Sequence, residues 1–347
     1  MNYTVAITGM NARPDNPGPG YAVARCLQES PHFLGRVVGL GYDVLDAGLY
    51  HRHCQGGYLL PYPSAGDSAL LERLLWIHEQ EHLDAVIPCL DSELPAFLAI
   101  VPELGKRGIR SFLPDLAALQ ARNKDRLASQ CQQLGLAHPR TQAVQDPGFF
   151  QRCHLSGWQY PLVVKGAFYD AQICHTPAEA ELAFVRLAQQ WGYPVLAQEF
   201  LQGQEVNLTG IGDGKSLLGA VMMRKRALTD KGKAWAGVSI VDEQLERMAS
   251  ILVEGLGWRG PLEVEALKGH DGKLYLIEIN PRFPAWIYLA PAVGRNLPAV
   301  LLELMADHSP PAFPPLIPGR MFVRYAEEQI VDIQAFEALM MNGALVG

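Results

Sequence analysis

Short apolar strands alternate with amphipathic helices over the first third of the chain. Leucines recur at helical spacing in Ser68–Glu81, for example, and a short apolar run follows at once. The elements predicted here are strands at Tyr3–Thr8, Gly35–Leu40 and Ala85–Cys89 and helices at Tyr21–Gln28 and Ser68–Glu81. This β-α-β order predicts a parallel sheet with helices on its faces, closing near Phe112–Pro114.

The middle of the chain has a different pattern. One helix is predicted from Pro114 to Leu134, and a Pro-rich linker is predicted at Pro310–Pro318. Between them the predicted elements are strands at Leu162–Lys165, Val195–Leu201, Val206–Gly210, Leu217–Met223, Gly260–Leu267 and Lys273–Asn280 and helices at Pro177–Gln190 and Asp242–Gly255. Turns at Asp213-Gly214 and across Gly269–Gly272 make most of these strands antiparallel, so the pattern predicts an α+β region.

Composition narrows the class of protein. The 347 residues are 49% hydrophobic with a net charge of -7, which argues against a broad nucleic-acid-binding face. No apolar run approaches the ~18 residues of a membrane helix, and the N-terminus lacks a basic leader. The six cysteines show no CxxC spacing, which is typical of reduced thiols. We therefore expect a cytoplasmic protein that binds neither nucleic acid nor a membrane.

Three short motifs suggest other chemistry and are interpreted as structural. His78–His82 matches the zinc-protease pattern HExxH, but the predicted helix ends there and a strand follows. Gly212–Ser216 resembles part of a phosphate loop, yet a strand rather than a helix comes after it. His51–Cys54 lacks a partner pair for a metal. A helix end, a hairpin turn and a loop are the favoured interpretations.

The segment Leu276–Arg282 carries the strongest chemical signal. On a strand, Glu278 and Asn280 point to one face, and a carboxylate beside an amide oxygen suits Mg²⁺. Glu265 lies across the predicted hairpin and can join them, but Glu263 faces the same way, so the second carboxylate stays open. The alternative is an exposed acidic strand.

Two further parts of the sequence carry residues that are suited to binding a nucleotide. In Gln198–Glu205 an apolar strand ends in polar groups that could serve an adenine edge and a ribose, although an ordinary hairpin explains the segment too. Lys165 ends a strand that reads as buried, so its ammonium must find an anion or reach solvent. Lys124, in Asn123–Asp125, is the second lysine of this kind.

Read together, these motifs resemble the ATP-grasp superfamily. The order matches as well as the residues: a βαβ domain, Asn123–Asp125, Pro161–Lys165, Gln198–Glu205 and Glu278–Arg282. The resemblance is to the carbamoyl phosphate synthetase large-subunit branch and its stand-alone carboxylate–amine ligases, and it spans roughly residues 1–305.

The resemblance implies a fold of α/β and α+β parts. A Rossmann-like, pre-ATP-grasp domain would occupy residues 1–113, and a two-lobed ATP-grasp domain residues 114–308. The small lobe would run over about 114–197 and the large lobe over about 198–308, with a Pro-rich C-terminal extension at 309–347.

The resemblance also implies an ATP site with two Mg²⁺ ions. Phosphates would be held by lysines, the adenine hinge would be partly backbone, and apolar side chains would sandwich the base. The ATP-binding residues would be Lys124, Val163, Lys165, Gln198, Glu199, Leu201, Glu205 and Ile277. The metal ligands would be Glu265, Glu278 and Asn280, and Arg282 would be catalytic, stabilising the transferring phosphoryl group or an acyl phosphate.

Candidate substrate contacts are less specific. Asp91 and Glu93 resemble positions that face the active cleft in this branch, although Asp91 could simply cap a helix. Arg224 and Lys225 open a basic stretch, interpreted either as a solvated loop or as a clamp for an anionic substrate.

One segment departs from the pattern of the superfamily. The loop after Lys165 usually has several glycines or serines, whereas residues 166–171 contain one glycine. Tyr169 or Asp170 could contact substrate there instead.

The activity that the resemblance implies is ATP-dependent ligation of a carboxylate and an amine through an acyl phosphate, with release of ADP and phosphate. The partners would be a small-molecule or peptide carboxylate and an amine, and a homodimer is left open. A carbamoyl phosphate synthetase-like enzyme and a catalytically silent nucleotide-binding subunit are the alternatives.

Overall fold

The computed structural model describes residues 2–166, 170–230 and 232–346. The strands are β1 (Thr4–Ile7), β2 (Arg36–Gly41), β3 (Gly56–Leu59), β4 (Ala85–Ile87), β5 (Thr141–Val144), β6 (Leu162–Lys165), β7 (Ala171–Cys174), β8 (Val195–Glu199), β9 (Gly203–Asp213), β10 (Leu217–Leu228), β11 (Ala234–Ile240), β12 (Arg259–Gly269), β13 (Leu274–Asn280), β14 (Met321–Val323) and β15 (Ala344–Val346).

The α-helices are α1 (Pro19–Gln28), α2 (Asp67–Glu81), α3 (Leu94–Lys106), α4 (Leu116–Ala121), α5 (Lys124–Leu134), α6 (Phe149–Arg152), α7 (Pro177–Trp191), α8 (Glu243–Leu256), α9 (Leu289–Ala292), α10 (Leu297–Met305) and α11 (Ile333–Asn342). Short 3-10 helices lie at Ala47–Tyr50, Pro63–Ala65 and Cys153–Ser156. Among the described residues, none of the helices combines the length and apolar character needed to cross a membrane.

The chain divides into two compact units. The first unit comprises Met1–Leu116, Asn207–Glu263 and Asn280–Gly347, and the second comprises Ala117–Val206 and Val264–Ile279. The division falls within β9 and β12 and at the end of β13, so neighbouring residues of one strand belong to different units.

A mainly parallel sheet forms the N-terminal part of the first unit. Its order is β15-β3-β2-β1-β4, in which β1 pairs parallel with β2 and β4, and β2 pairs parallel with β3. Residues Val5 and Ile7 of the central strand are fully buried. A Cβ atom on Gly20 would lie 1.7 Å from the Thr8 carbonyl oxygen, so only glycine allows α1 to start this close to β1. The predicted parallel sheet is confirmed.

The C-terminal residues complete both sheets of the first unit rather than forming a separate appendage. β14 pairs antiparallel with β11, and β15 pairs antiparallel with β3 at the edge of the parallel sheet. Leu339 of α11 is fully buried in the first unit. Three-residue strands are too short to show a period, which is why their pairing was not predicted.

The basic stretch around residue 225 is strand. β10 pairs antiparallel with β11, with Arg224 opposite Val238 and Lys225 opposite Gly237. These two strands belong to a six-stranded sheet of order β13-β12-β9-β10-β11-β14. The loop interpretation of Arg224 and Lys225 is therefore wrong, because the long β10 continues five residues beyond Met223.

A four-stranded sheet with α7 packed on it forms most of the second unit. The order is β5-β8-β6-β7, with all three pairings antiparallel. Phe184 and Leu187 of α7 are buried against this sheet, and the Thr176 side chain caps the helix by accepting the Glu179 N–H. The single helix expected over residues 114–134 is instead α4 and α5, because Asn123 adopts an extended conformation (ψ 140°) between them.

Candidate active site

A half-buried lysine is the centre of the candidate nucleotide site in the second unit. Lys165 is the last residue of β6, and burial lowers its pKa to about 8. Within this net value, the negative charges of Glu278, Glu265 and Glu205 raise the pKa, and Glu278 does so most strongly. The positive charge of Lys124 lowers it. All five groups are therefore near enough to interact electrostatically, and the structure brings together five of the sequence-predicted residues.

The carboxylates of this group are of the type that binds a hard cation. Glu205, Glu265 and Glu278 lie on β9, β12 and β13, and all three raise the pKa of Lys165. Carboxylate oxygens are ligands that Mg²⁺ prefers, so these residue types suit a cation that also holds phosphates. Among the described residues, no three His, Cys, Asp or Glu side chains lie close enough together to hold a metal ion by themselves.

A second carboxylate, Glu263, is the centre of a hydrogen-bonded group in the first unit. Its Oε1 accepts Asn207 Nδ2 at 3.0 Å and Trp286 Nε1 at 2.7 Å. Its Oε2 accepts Asn280 Nδ2 at 3.0 Å and Arg282 Nη1 at 3.3 Å. We call Glu263, Asn207, Trp286, Asn280 and Arg282 the Glu263 cluster. Glu263 is only 4% exposed, so these donors satisfy a carboxylate that would otherwise be costly to bury.

Arg282 is held on two sides. Besides Glu263, its Nε donates to Asp91 Oδ2 at 2.8 Å, and its Nη1 also donates to the Phe283 carbonyl at 3.3 Å. Two carboxylates fix the plane of the guanidinium in advance of any ligand. The structure therefore joins two sequence-predicted residues, Asp91 and Arg282, and favours a positioning role for Asp91.

Asn280 is oriented by the same cluster. Because its Nδ2 donates to Glu263, the direction of the amide is fixed. Oδ1 is the atom of this side chain that could coordinate a metal. The four donors on Glu263 also distinguish it from Glu265, and they favour Glu265 as the carboxylate for a cation.

The residues expected around adenine lie in the four-stranded sheet and beside it. Gln198 pairs with Val163 in register, and its Nε2 donates to Thr141 Oγ1 at 2.8 Å. Glu199 ends β8 and accepts the Arg140 N–H at 2.7 Å. The buried Gln198 side chain is thus engaged within the sheet, which favours a supporting role for it.

The other residues expected to contact the nucleoside are more open. Val163, Leu201 and Ile277 are half-buried, and Glu205 is exposed. Half-buried apolar side chains of this kind can cover a base, so the arrangement is compatible with the predicted sandwich.

Glu93 lies inside the first unit instead of lining an open surface. Its Oε2 accepts the Tyr42 hydroxyl at 2.6 Å, and its Oε1 accepts the Thr8 hydroxyl and the N–H groups of Cys89 and Leu90 at 2.9 and 3.0 Å. Burial raises the pKa of this carboxyl. The network ties together the ends of β1, β2 and β4, so Glu93 is positioned to shape the edge of the sheet.

The remaining substrate candidates are spread over both units. Asp170 accepts Trp191 Nε1 at 3.1 Å and lies 3.8 Å from an Arg186 nitrogen, both on α7. Arg224 and Lys225 lie on β10 and are half-buried. Tyr169 falls outside the described residues.

Comparison with known proteins adds to this geometry. A family model described as ATP-grasp in the biosynthetic pathway with Ter operon matches residues 193–328. The solved biotin carboxylase–βγ-ATP complex from Campylobacter jejuni superposes with a TM-score of 0.68 at 16% identity, over 90% of this chain and 72% of that one. The chain has the ATP-grasp fold.

Curated sequences support the same relationship. The large chain of carbamoyl phosphate synthase from Halomonas eurihalina is 26% identical over 256 residues, covering 69% of this chain and 23% of that one. The phosphoribosylamine–glycine ligase of Synechocystis sp. is 25% identical over 242 residues, covering 62% of this chain and 58% of that one. The chain thus spans about a quarter and somewhat over half of these ATP-grasp relatives. The resemblance drawn from the motifs is confirmed.

Three residues of the candidate sites do not appear among the sequence-predicted residues. Burial and the nearby charge of Lys165 together lower the pKa of His138 to about 4. A neutral imidazole therefore lies near the lysine. Asn207 and Trp286 hold Glu263. His138 and Asn207 follow no recognisable motif, but a tryptophan four residues after Arg282 in an apolar run was a signal that could have been used.

Proposed function

We propose that this chain is an ATP-dependent carboxylate–amine ligase. The observation that carries the proposal is that Lys165 interacts electrostatically with Lys124 and with the carboxylates of Glu205, Glu265 and Glu278, residue types that suit the phosphates of ATP and their Mg²⁺. The ATP-grasp fold supports it, as does the likeness to a protein named a phosphoribosylamine–glycine ligase.

Two displacements make up the proposed reaction. A carboxylate oxygen of the acid attacks the γ-phosphorus of ATP, the bond to the bridging oxygen breaks, and ADP leaves with that electron pair. The nitrogen of the amine then attacks the carbonyl carbon of the acyl phosphate. The carbon–nitrogen bond forms, inorganic phosphate leaves, and the proton of the amine passes to solvent.

The residues of the second unit would bind the nucleotide. Lys124 and Lys165 would pair with phosphate oxygens through charge-assisted hydrogen bonds. Glu265 and Glu278 would hold Mg²⁺, which supplies charge neutralisation at the phosphates when bound. A part for Asn280, which belongs to the first unit, in holding the metal remains a prediction.

Arg282 would stabilise the negative charge that moves during phosphoryl transfer. Its guanidinium is already fixed by Asp91 and Glu263, so little reorganisation is needed as the charge develops. Substrate contacts by Arg224, Lys225 and Asp170 remain predictions, as does a homodimer.

The test is a product assay with the purified chain, ATP, Mg²⁺ and a panel of carboxylic acids. Hydroxylamine replaces the amine, because it converts an acyl phosphate to a hydroxamate, which forms a coloured complex with added ferric iron. We expect ADP and phosphate in step with hydroxamate, and no AMP. Lys165→Gln should abolish both products, whereas Lys273→Gln, at a lysine whose side chain is 70% exposed, should not change them.

Each other outcome identifies a different function. AMP and pyrophosphate would contradict an acyl phosphate. ADP formation that needs bicarbonate and no other acid would indicate a carbamoyl phosphate synthetase-like enzyme. ATP binding without turnover on any acid would indicate a silent nucleotide-binding subunit.

A further inference from the structure

The first unit contains a cavity of about 580 Å³ that none of the ATP or metal residues explains. The loop after β1, the start of α1, residues 285–292 and residues 321–329 form its walls. Its large side chains are mostly aromatic: Tyr21, Trp235, Trp286, Tyr288, Phe322 and Tyr325. A cavity of this size, lined by aromatic rings together with charged and polar groups, is large enough for a small molecule.

This cavity borders the Glu263 cluster. Trp286 lines the cavity and also donates its Nε1 hydrogen to Glu263, which in turn accepts from Arg282. A ligand against the Trp286 ring would therefore lie one side chain away from the carboxylate that holds the proposed catalytic arginine.

Arg324 is the cation of the cavity that has capacity for an anion. Its Nε donates to the Ala234 carbonyl at 2.9 Å, and within the described parts of the chain its terminal nitrogens have no hydrogen-bond or carboxylate partner. Burial lowers the pKa of this guanidinium to about 10, so it is still charged at neutral pH. Arg25, by contrast, pairs with Glu29 at 2.8 Å and stacks on Tyr288.

Tyr21 supplies a hydroxyl donor in the same cavity. The Tyr21 oxygen lies 3.1 Å from His51 Nε2, and the tautomer of His51 decides which of the two groups donates. When the imidazole proton is on Nε2, the Tyr21 hydrogen is left to donate to a ligand.

Negative charge lies close to Arg324 along the chain. Glu327 and Glu328 also line the cavity, where both are exposed to solvent. A site with one guanidinium and two carboxylates complements a zwitterion, whose carboxylate pairs with the arginine and whose ammonium pairs with the glutamates. Such a site is a poor match for a phosphate ester, because the glutamates would repel its two negative charges.

We propose that this cavity binds the amine substrate of the ligase, an α-amino acid with an aromatic or bulky apolar side chain whose carboxylate pairs with Arg324. The ring-lined walls would hold the side chain, Tyr21 would donate to the carboxylate, and the glutamates would attract the ammonium. The role as substrate site rests on the function proposed above, whereas the binding itself does not.

Binding is measured without ATP by quenching of tryptophan emission, since Trp235 and Trp286 line the cavity, and by calorimetry. The probes are L-phenylalanine, 2-phenylethylamine, which lacks the carboxylate, 3-phenylpropionate, which lacks the ammonium, and phenyl phosphate. We expect L-phenylalanine to bind at least about tenfold more tightly than each of the others, because each lacks one charge or carries the wrong one.

Single substitutions test which residue of the cavity contacts the carboxylate of the ligand. Arg324→Gln should weaken L-phenylalanine at least about tenfold and leave 2-phenylethylamine unchanged. Arg320→Gln is the matched control, because this exposed arginine lies four residues earlier and does not line the cavity. Tyr21→Phe keeps the ring and should weaken L-phenylalanine several-fold, which serves as the test if Arg324→Gln lowers the melting temperature.

The outcomes separate this proposal from the ligase. Equal binding of phenylalanine and phenylethylamine, tightest binding of phenyl phosphate, no binding of any probe, or loss of binding in Arg320→Gln would each overturn the cavity assignment. Phenylalanine binding that depends on Arg324, with no ADP formed from any acid–amine mixture, would contradict the ligase and leave the amino-acid site standing.

Discussion

Lys165 shows what the sequence can and cannot say about a single residue. A lysine at the end of the apolar run Pro161–Lys165 predicts an ammonium that needs an anion. The sequence does not reveal that Glu278, Glu265 and Glu205 come from three other strands to act on it, because those contacts depend on tertiary packing. The residue was predictable, but its pKa of about 8 was not.

That pKa predicts a pH dependence of nucleotide binding. Phosphates bind the charged lysine, which with a pKa of about 8 predominates at pH 7, makes up half of the population at pH 8 and is mostly lost by pH 9. The affinity for ATP, measured by calorimetry in EDTA so that no metal competes, should fall about tenfold between pH 7 and pH 9. The terminal phosphate of ATP, with a last pKa near 6, does not titrate in this range.

Two controls isolate the lysine. Lys165→Gln should bind ATP weakly at every pH between 7 and 9, and adenosine, which has no phosphate, should bind the unmodified chain equally well at both ends. A pH dependence that survives in Lys165→Gln would assign the titration to another group.

Among the elements, a clear apolar pattern mattered more than length. Helices such as α2 and α7 were recognised from their periods, and the short strands β1, β4 and β6 were recognised as apolar runs. The short strands β5 and β15 were not recognised, because they acquire their structure from a neighbouring strand, and the longer α3 was also missed. The break between α4 and α5 was missed because Asn123 interrupts a helical pattern without glycine or proline.

Strand alternation alone does not identify the second carboxylate of the candidate metal site. Glu263 and Glu265 occupy one face of β12 by parity, so the sequence could not choose between them. The structure distinguishes them by surroundings: four side-chain donors occupy the oxygens of Glu263, whereas Glu265 acts on Lys165.

The difference predicts distinct effects for two conservative variants. Glu265→Gln removes one negative charge with little change of shape, so the Mg²⁺ concentration for half-maximal turnover should rise at least about tenfold with the melting temperature unchanged. Glu263→Gln places an amide nitrogen against donors, so it should lower the unfolding free energy by about 1–3 kcal/mol. A rise in Mg²⁺ requirement for Glu263→Gln alone would reverse the assignment.

At the scale of the molecule, the two units hold different parts of the proposed chemistry. The second unit carries Lys124 and Lys165 with the carboxylates near them, and the first carries Arg282 in the Glu263 cluster. The order of these motifs was visible in the sequence. How residues distant along the chain share one cluster was not, because Asp91 and Arg282 are 191 positions apart.

This division predicts that ATP affinity and rate can be changed separately. Arg282→Lys keeps a positive charge beside Asp91 and Glu263, which protects the fold, but loses the planar guanidinium with its fixed donors. Because those donors would matter most as charge develops on the transferring phosphoryl group, kcat should fall on the order of 10²–10³-fold. The Kd for ATP, measured by calorimetry, should change less than about twofold, since equal stabilisation of bound ATP and transition state would leave kcat untouched. Lys165→Gln is the counterpart, weakening ATP binding directly. A loss of ATP affinity in Arg282→Lys that matched its loss of rate would make Arg282 a binding residue and remove it from the phosphoryl-transfer step.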